Sequence, residues 1–127
     1  MRQVPKKTYA IIGSGRSALH ISHFLSKEEQ NVIAWNRRDF SGSPLARIES
    51  ADVILILIKD SEIDGFISHW PELKQKPLLH FSGSHYSEFA IGCHPLMTFG
   101  PEVYSLDKYR RIHFVLDQKH PSMSHAY

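Results

Sequence analysis

The 127-residue chain has a single cysteine, Cys93, so no disulfide can close within it. That excludes the small disulfide-stapled scaffolds and fits a reducing compartment. No apolar run comes near the ~20 residues that a membrane-spanning helix needs. The longest, Val53 to Ile58, has strand length. The basic start, Met1-Arg2-Gln3-Val4-Pro5-Lys6-Lys7, leads into a short strand rather than the apolar region of a secretory signal. A cytoplasmic protein without a membrane partner is expected. Charge of one sign is also missing: 15 Lys and Arg face 13 Asp and Glu, too even a balance to argue for nucleic acid as a partner. Nine histidines are present, yet His80, His85 and His94 do not fall at a zinc-ligand spacing, so no metal site is expected. Internal repeats and low-complexity linkers are absent. The length suits one compact domain, and the 42% of hydrophobic residues is enough to build its core.

What is there is a series of short apolar strands separated by polar turns and helix-like stretches. Strands are expected at Thr8–Ile12, Val32–Trp35, Val53–Ile58, Leu78–Phe81, Ile91–His94 and Ile112–Leu116. Helices are expected at Arg16–Ser26 and at Ile63–Trp70, the second capped by Ser61 and ending near Pro71. The third strand has no polar alternation, which places it inside a parallel sheet covered on both faces. Only a dozen residues separate Arg38 from Ala51. A full dinucleotide-binding half would carry a further helix and strand there, so the edge beyond the second strand is expected to be deleted. The fold class is therefore α/β: a small, mostly parallel sheet flanked by helices, truncated after its second strand. Residues 1–117 form the domain and 118–127 a polar tail.

The chemistry-bearing motifs fall where strands end. Gly13-Ser14-Gly15-Arg16-Ser17-Ala18 follows the first strand and opens the first helix, the pattern of a phosphate-binding turn. Gly13 serves the tight exit, Gly15 lets a diphosphate approach the backbone, and Ala18 lets helix and strand pack closely. The N–H groups of the first helical turn then face the phosphates. The second strand ends in Asn36-Arg37-Arg38. An NAD site commonly has Asp or Glu at this position. Asn36 still bonds a ribose oxygen, and the two guanidinium groups suit an added phosphate, so NADP is the expected cofactor. Lys59, after the third strand, lies beside the nicotinamide ribose or the diphosphate, or simply belongs to a helix-capping turn. Ser82, Gly83 and Ser84 follow the fourth strand at the same edge, and His94 ends the fifth before Pro95. Ser82 and His94 are the candidate catalytic partners of a substrate, with Gly83 and Ser84 as substrate-binding groups. A plain loop with a packed histidine is the competing reading. Cys93 is expected to be buried and inert, because strand neighbours point to opposite faces and His94 is poorly placed to activate it.

Together Gly13 to Ala18, Ala51 to Ile56, His80 to Ser84 and His94 to Phe99 resemble a Rossmann-like NADP-binding family. That family is related to pyrroline-5-carboxylate reductase and the deazaflavin-dependent NADP oxidoreductases, in the 6-phosphogluconate-dehydrogenase-like superfamily. The resemblance runs from about Lys7 to Asp117. It implies that Gly13, Ser14, Gly15, Arg16, Ser17, Arg37 and Arg38 contact the cofactor. It also implies that Ser82, Gly83 and His94 lie near the nicotinamide. The helical C-terminal domain of such reductases has no counterpart in the sequence. The expected function is an NADP(H)-binding domain acting in hydride transfer to a small carbonyl or imine, with an NADP(H) sensor or partner subunit as the alternative. A homodimer would supply a missing wall of the site.

Overall fold

The computed structural model describes residues 5–117, and the polar tail expected over 118–127 lies outside them. Six strands form one sheet: β1 (Thr8–Ile12), β2 (Asn31–Trp35), β3 (Val53–Ile56), β4 (Leu78–His80), β5 (Ile91–Pro95) and β6 (Phe114–Leu116). Their order is β2-β1-β3-β4-β5-β6. The first five run parallel, and β6 closes the far side antiparallel to β5. Three α-helices accompany them: α1 (Arg16–Lys27), α2 (Ile63–His69) and α3 (Leu106–Arg110). Among the described residues no helix is long and apolar enough to cross a membrane.

Alternation along the strands divides the core into two halves. Ala10, Ile12, Ile54 and Ile56 face the side covered by Ile63 and Ile67 of α2 and by Leu73. Ile11, Val53 and Leu55 face the other side, where Ala18 and Ile21 of α1 meet Tyr109 of α3. All four residues of β3 are buried, as its unbroken apolar run requires; each such side chain contributes about 1.5–3 kcal/mol on burial. β2 forms the edge of the sheet, and its burial pattern is correspondingly mixed.

The expected truncation after β2 is present. The chain from Ser43 to Ala51 folds into turns, with the Ile48 N–H donating to the Pro44 carbonyl at 3.2 Å and the Ala51 N–H to the Ile48 carbonyl at 3.0 Å. No helix or strand occupies this crossover. Local expectations need correction: β6 begins at Phe114 rather than at Ile112. β3 stops at Ile56 because β1 has run out: Leu57 N–H still reaches the Ile12 carbonyl at 2.8 Å, but Ile12 is the last residue of β1. Ser61 does not cap α2. It sits inside a 3₁₀ turn, Asp60–Glu62, and Glu62 occupies the cap position without a side-chain bond. The short helix α3 was not expected. Five residues are too few for a readable period, although Ser105 caps it by accepting the Lys108 N–H at 3.3 Å.

A buried polar knot fastens the segment after β5 to α1. His20 is fully buried. Its Nε2 is 2.7 Å from the Gly100 carbonyl, which can only accept, so Nε2 carries the proton. Nδ1 then accepts from the Tyr109 hydroxyl at 2.8 Å. The same hydroxyl oxygen accepts the Tyr104 N–H at 3.0 Å, and the Tyr104 hydroxyl oxygen accepts the Gly100 N–H at 2.8 Å. Phe99 stacks on the imidazole with ring centres 4.6 Å apart. Tyr109→Phe removes the donor to His20 and the acceptor for Tyr104 together. Urea unfolding of this variant should show a loss of about 1–3 kcal/mol, the cost of leaving buried polar groups unpaired.

Candidate functional site

Gly13 turns the chain out of β1 at φ +135°. A Cβ added there would lie 2.1 Å from the Leu57 carbonyl oxygen, so the turn passes against the backbone just after β3 and only glycine fits. The Gly13 N–H donates to the Trp35 carbonyl at 2.9 Å. The turn is thereby tied to the end of β2 as well. Gly15 is different: its Cβ direction meets nothing within 4 Å. The absent side chain leaves open space in front of the first turn of α1, whose N-terminus no side chain caps. Ala18 is buried against the sheet, as close helix packing requires.

These parts border a cleft of about 1200 Å³ at the carboxyl ends of the strands. Gly13, Ser14 and Gly15 form one part of its lining, Asn36, Arg37 and Arg38 a second, and Lys59 a third. Trp35, Phe40, Phe66 and Trp70 add aromatic surface. Trp35 and Phe66 pack with ring centres 5.7 Å apart. The side chain of Asn36 is committed to the turn: its Oδ1 accepts the Asp39 N–H at 2.9 Å and its Nδ2 donates to Asp39 Oδ2 at 3.1 Å. Arg37 pairs with Glu62 at 3.2 Å. Glu62 was not singled out from the sequence, because it stands 25 positions from Arg37 and only the fold brings the two together.

A recess of about 210 Å³ continues past the glycine turn and is lined by Gly15, Arg16, Ser17, Asp60 and Ser82 among others. Of the expected polar groups, the fold brings Ser82 next to the turn. Its Oγ accepts the His85 N–H at 3.0 Å and the Ser84 N–H at 3.4 Å. His94 stands behind it and lines neither cavity. Its Nδ1 donates to the Phe81 carbonyl at 3.1 Å, and its ring lies where a Gly83 Cβ would come within 2.9 Å. Gly83 therefore makes room for His94, and Ser84 is exposed.

A second polar group was also missed. Asp64 of α2 accepts from the Ser87 hydroxyl at 2.6 Å and pairs with His85 Nε2 at 2.9 Å. The His85 ring stands 5.9 Å from that of His80. His80 is buried, and its Nδ1 accepts the Ser82 N–H at 3.1 Å. Burial, helped by the neighbouring His85, pushes its pKa below the ordinary 6.5, against the pull of Asp60, Asp64 and Asp117. Burial also raises the Cys93 thiol to about 11, which leaves almost no thiolate near neutral pH. Among the described residues, no group of three or more His, Cys, Asp or Glu is arranged to hold a metal ion.

No family model matches the chain, and no curated protein matches it. The fold does have solved counterparts. One is an NAD-binding semialdehyde dehydrogenase protein from Cupriavidus necator, whose structure was solved in complex with calcium and NAD. It is 17% identical, with a TM-score of 0.56 over 87% of this chain. This is a Rossmann-type fold. The chain spans about half the length of that protein, 49% of it. The strand order differs from the full Rossmann half by the loss of the strand outside β2.

Gly13→Ala should cost at least ~3 kcal/mol in denaturant unfolding, through backbone strain and a clash with a carbonyl that cannot move aside. His80 generates a pH dependence of stability. Below its ordinary pKa of 6.5 the unfolded chain takes up a proton that the folded protein refuses, so stability falls as the pH drops from 6.5 towards the lowered native value. His80→Asn keeps an acceptor near Nδ1 and cannot titrate. The drop in urea midpoint between about pH 7 and about pH 5 should be smaller in this variant than in the parent.

Proposed function

We propose that this protein is an NADP(H)-binding domain of an oxidoreductase, and that the dinucleotide lies in the cleft bordered by the glycine turn. The observation that carries this reading is the convergence of three separate segments, Gly13–Gly15, Asn36–Arg38 and Lys59, on one cleft. The open space at Gly15 and the uncapped start of α1 fit a diphosphate held by backbone N–H groups. Arg16 and Ser17 extend that contact into the adjoining recess. The aromatic lining suits adenine, and Arg37 and Arg38 suit a phosphate on its ribose. Asn36 acts mainly by holding the turn that presents them, since its side chain is engaged with Asp39.

When bound, the nicotinamide supplies the hydride chemistry. The chain's own contribution is position. The recess between Ser17 and Ser82 takes the reactive end, where the Ser82 hydroxyl can donate to a carbonyl or imine substrate. Gly83 and Ser84 shape the loop around that substrate, and His94 orients the loop through the Phe81 carbonyl. The likeness of the Gly13, Ser82 and His94 segments to the pyrroline-5-carboxylate reductase relatives supports the same assignment. A second copy of the chain would complete the wall on the substrate side. The alternative of a dinucleotide sensor draws on one observation: His94 and the Ser82 oxygen are both engaged in holding their own loop.

Trp35 and Trp70 line the cleft, so their fluorescence should change on titration with NADPH, and more weakly with NADH. Arg37→Ala should weaken NADPH binding about tenfold, in line with the loss of a charge-assisted bond at a solvated site, and NADH binding far less. Equal losses for the two cofactors would remove the NADP assignment. Consumption of NADPH with a panel of imines, ketones and aldehydes separates the enzyme from the sensor.

A further inference from the structure

The ion pair between Arg37 and Glu62 has no part in the reading above. Arg37 Nη2 and Glu62 Oε1 are 3.2 Å apart, and both residues line the cleft. Arg37 comes from the turn after β2, and Glu62 closes the 3₁₀ turn before α2. The pair therefore ties together two segments that border the cleft. Among the described residues no other carboxylate pairs with Arg37, and Arg38 has no ion-pair partner.

We infer that Glu62 sets the discrimination between a 2′-phosphorylated and an unphosphorylated adenosine ribose, by holding Arg37 in a pair that a phosphate meets as a competitor for Nη2 or as a like-charged neighbour. The inference rests on the dinucleotide reading and concerns the same cleft. A phosphomonoester brings close to two negative charges at neutral pH. The pair engages one Arg37 donor, Nη2, of the five that a guanidinium carries. A phosphate that bonds to Nη2 therefore displaces Glu62, and one that bonds to the other donors of Arg37 has the carboxylate as a like-charged near neighbour. An unphosphorylated ribose meets neither penalty, because its hydroxyls donate to a carboxylate. This is the role that an acidic residue at the end of the second strand plays in NAD sites. Here that position holds Asn36, and the carboxylate arrives from a different element. The Arg37 side chain is 76% exposed and that of Glu62 39%, so the effect is moderate and screened by salt.

The test is calorimetric titration of NADPH and NADH into the parent, Glu62→Gln, Arg37→Ala and the double variant, with thermal melting as the folding control. At low ionic strength Glu62→Gln should raise the ratio of NADPH to NADH affinity about two- to fivefold, a range set by the strength of exposed ion pairs. The gain should shrink at high salt and shrink again in the Arg37→Ala background. If both cofactors bind and Glu62→Gln leaves the ratio unchanged or lowers it, this inference is overturned and the dinucleotide reading stands. A gain of undiminished size without Arg37 overturns the role of the pair. Failure of the folded parent and variants to bind either cofactor overturns the dinucleotide reading, and this inference with it.

Discussion

The passage of Gly13 beneath the Leu57 carbonyl is the contact on which the rest of the molecule depends. It lets β1 turn sharply while its neighbour β3 ends alongside, so both strands finish at the same level. The N–H of Gly13 reaches across to the Trp35 carbonyl and brings β2 to that level too. Three segments that follow parallel strands thus emerge together. The cleft is a consequence of this alignment, and its glycine turn and Lys59 follow strands whose interiors are packed on two faces, while Asn36–Arg38 follow the edge strand through the buried Trp35.

Loss of the edge helix and strand after β2 changes the character of that cleft. In the full architecture, a further strand stands outside β2. Here β2 is the edge, and the crossover to β3 is made of turns braced by Arg47, whose Nε donates to the Ala34 carbonyl at 2.6 Å and whose guanidinium stacks on Phe40 at 4.2 Å. Phe40 in turn lines the cleft. A cation and an aromatic ring therefore hold the outer wall where a packed helix would otherwise stand. The ion pair from Arg37 to Glu62 ties this wall to the start of α2. The far end of the sheet is held differently, by the polar knot of His20, Tyr104 and Tyr109, in which the buried His20 and Tyr109 are both hydrogen-bonded.

Much of this was legible in the residues. The unbroken apolar run of Val53 onward marked a strand covered on both faces, and the short distance from Arg38 to Ala51 marked the missing edge. Both follow from local rules: chain reach, and the number of faces an apolar run must bury. The ends of elements were less legible. β3 stopped two residues early because its partner ended, and Ser61 lost its expected role because a 3₁₀ turn intervened. α3 gave no periodic signal over its five residues. At the site, the glycine turn and the arginines were found, since each is a contiguous motif. Glu62 and Asp64 were not, since their partners Arg37 and His85 lie 25 and 21 positions away.

By itself, then, the order of residues determined the class of sheet, the place of its shortened edge and the sharp glycine turn between the first strand and the first helix. These depend on steric limits and burial, which act over a few neighbouring residues. Only the tertiary structure decided which charges face each other across the cleft, which histidine is enclosed as a neutral acceptor, and that Gly83 gives way to the ring of His94. Such pairings join side chains carried on separate strands and turns, and their distances are set by how the two faces of the sheet pack rather than by separation along the chain.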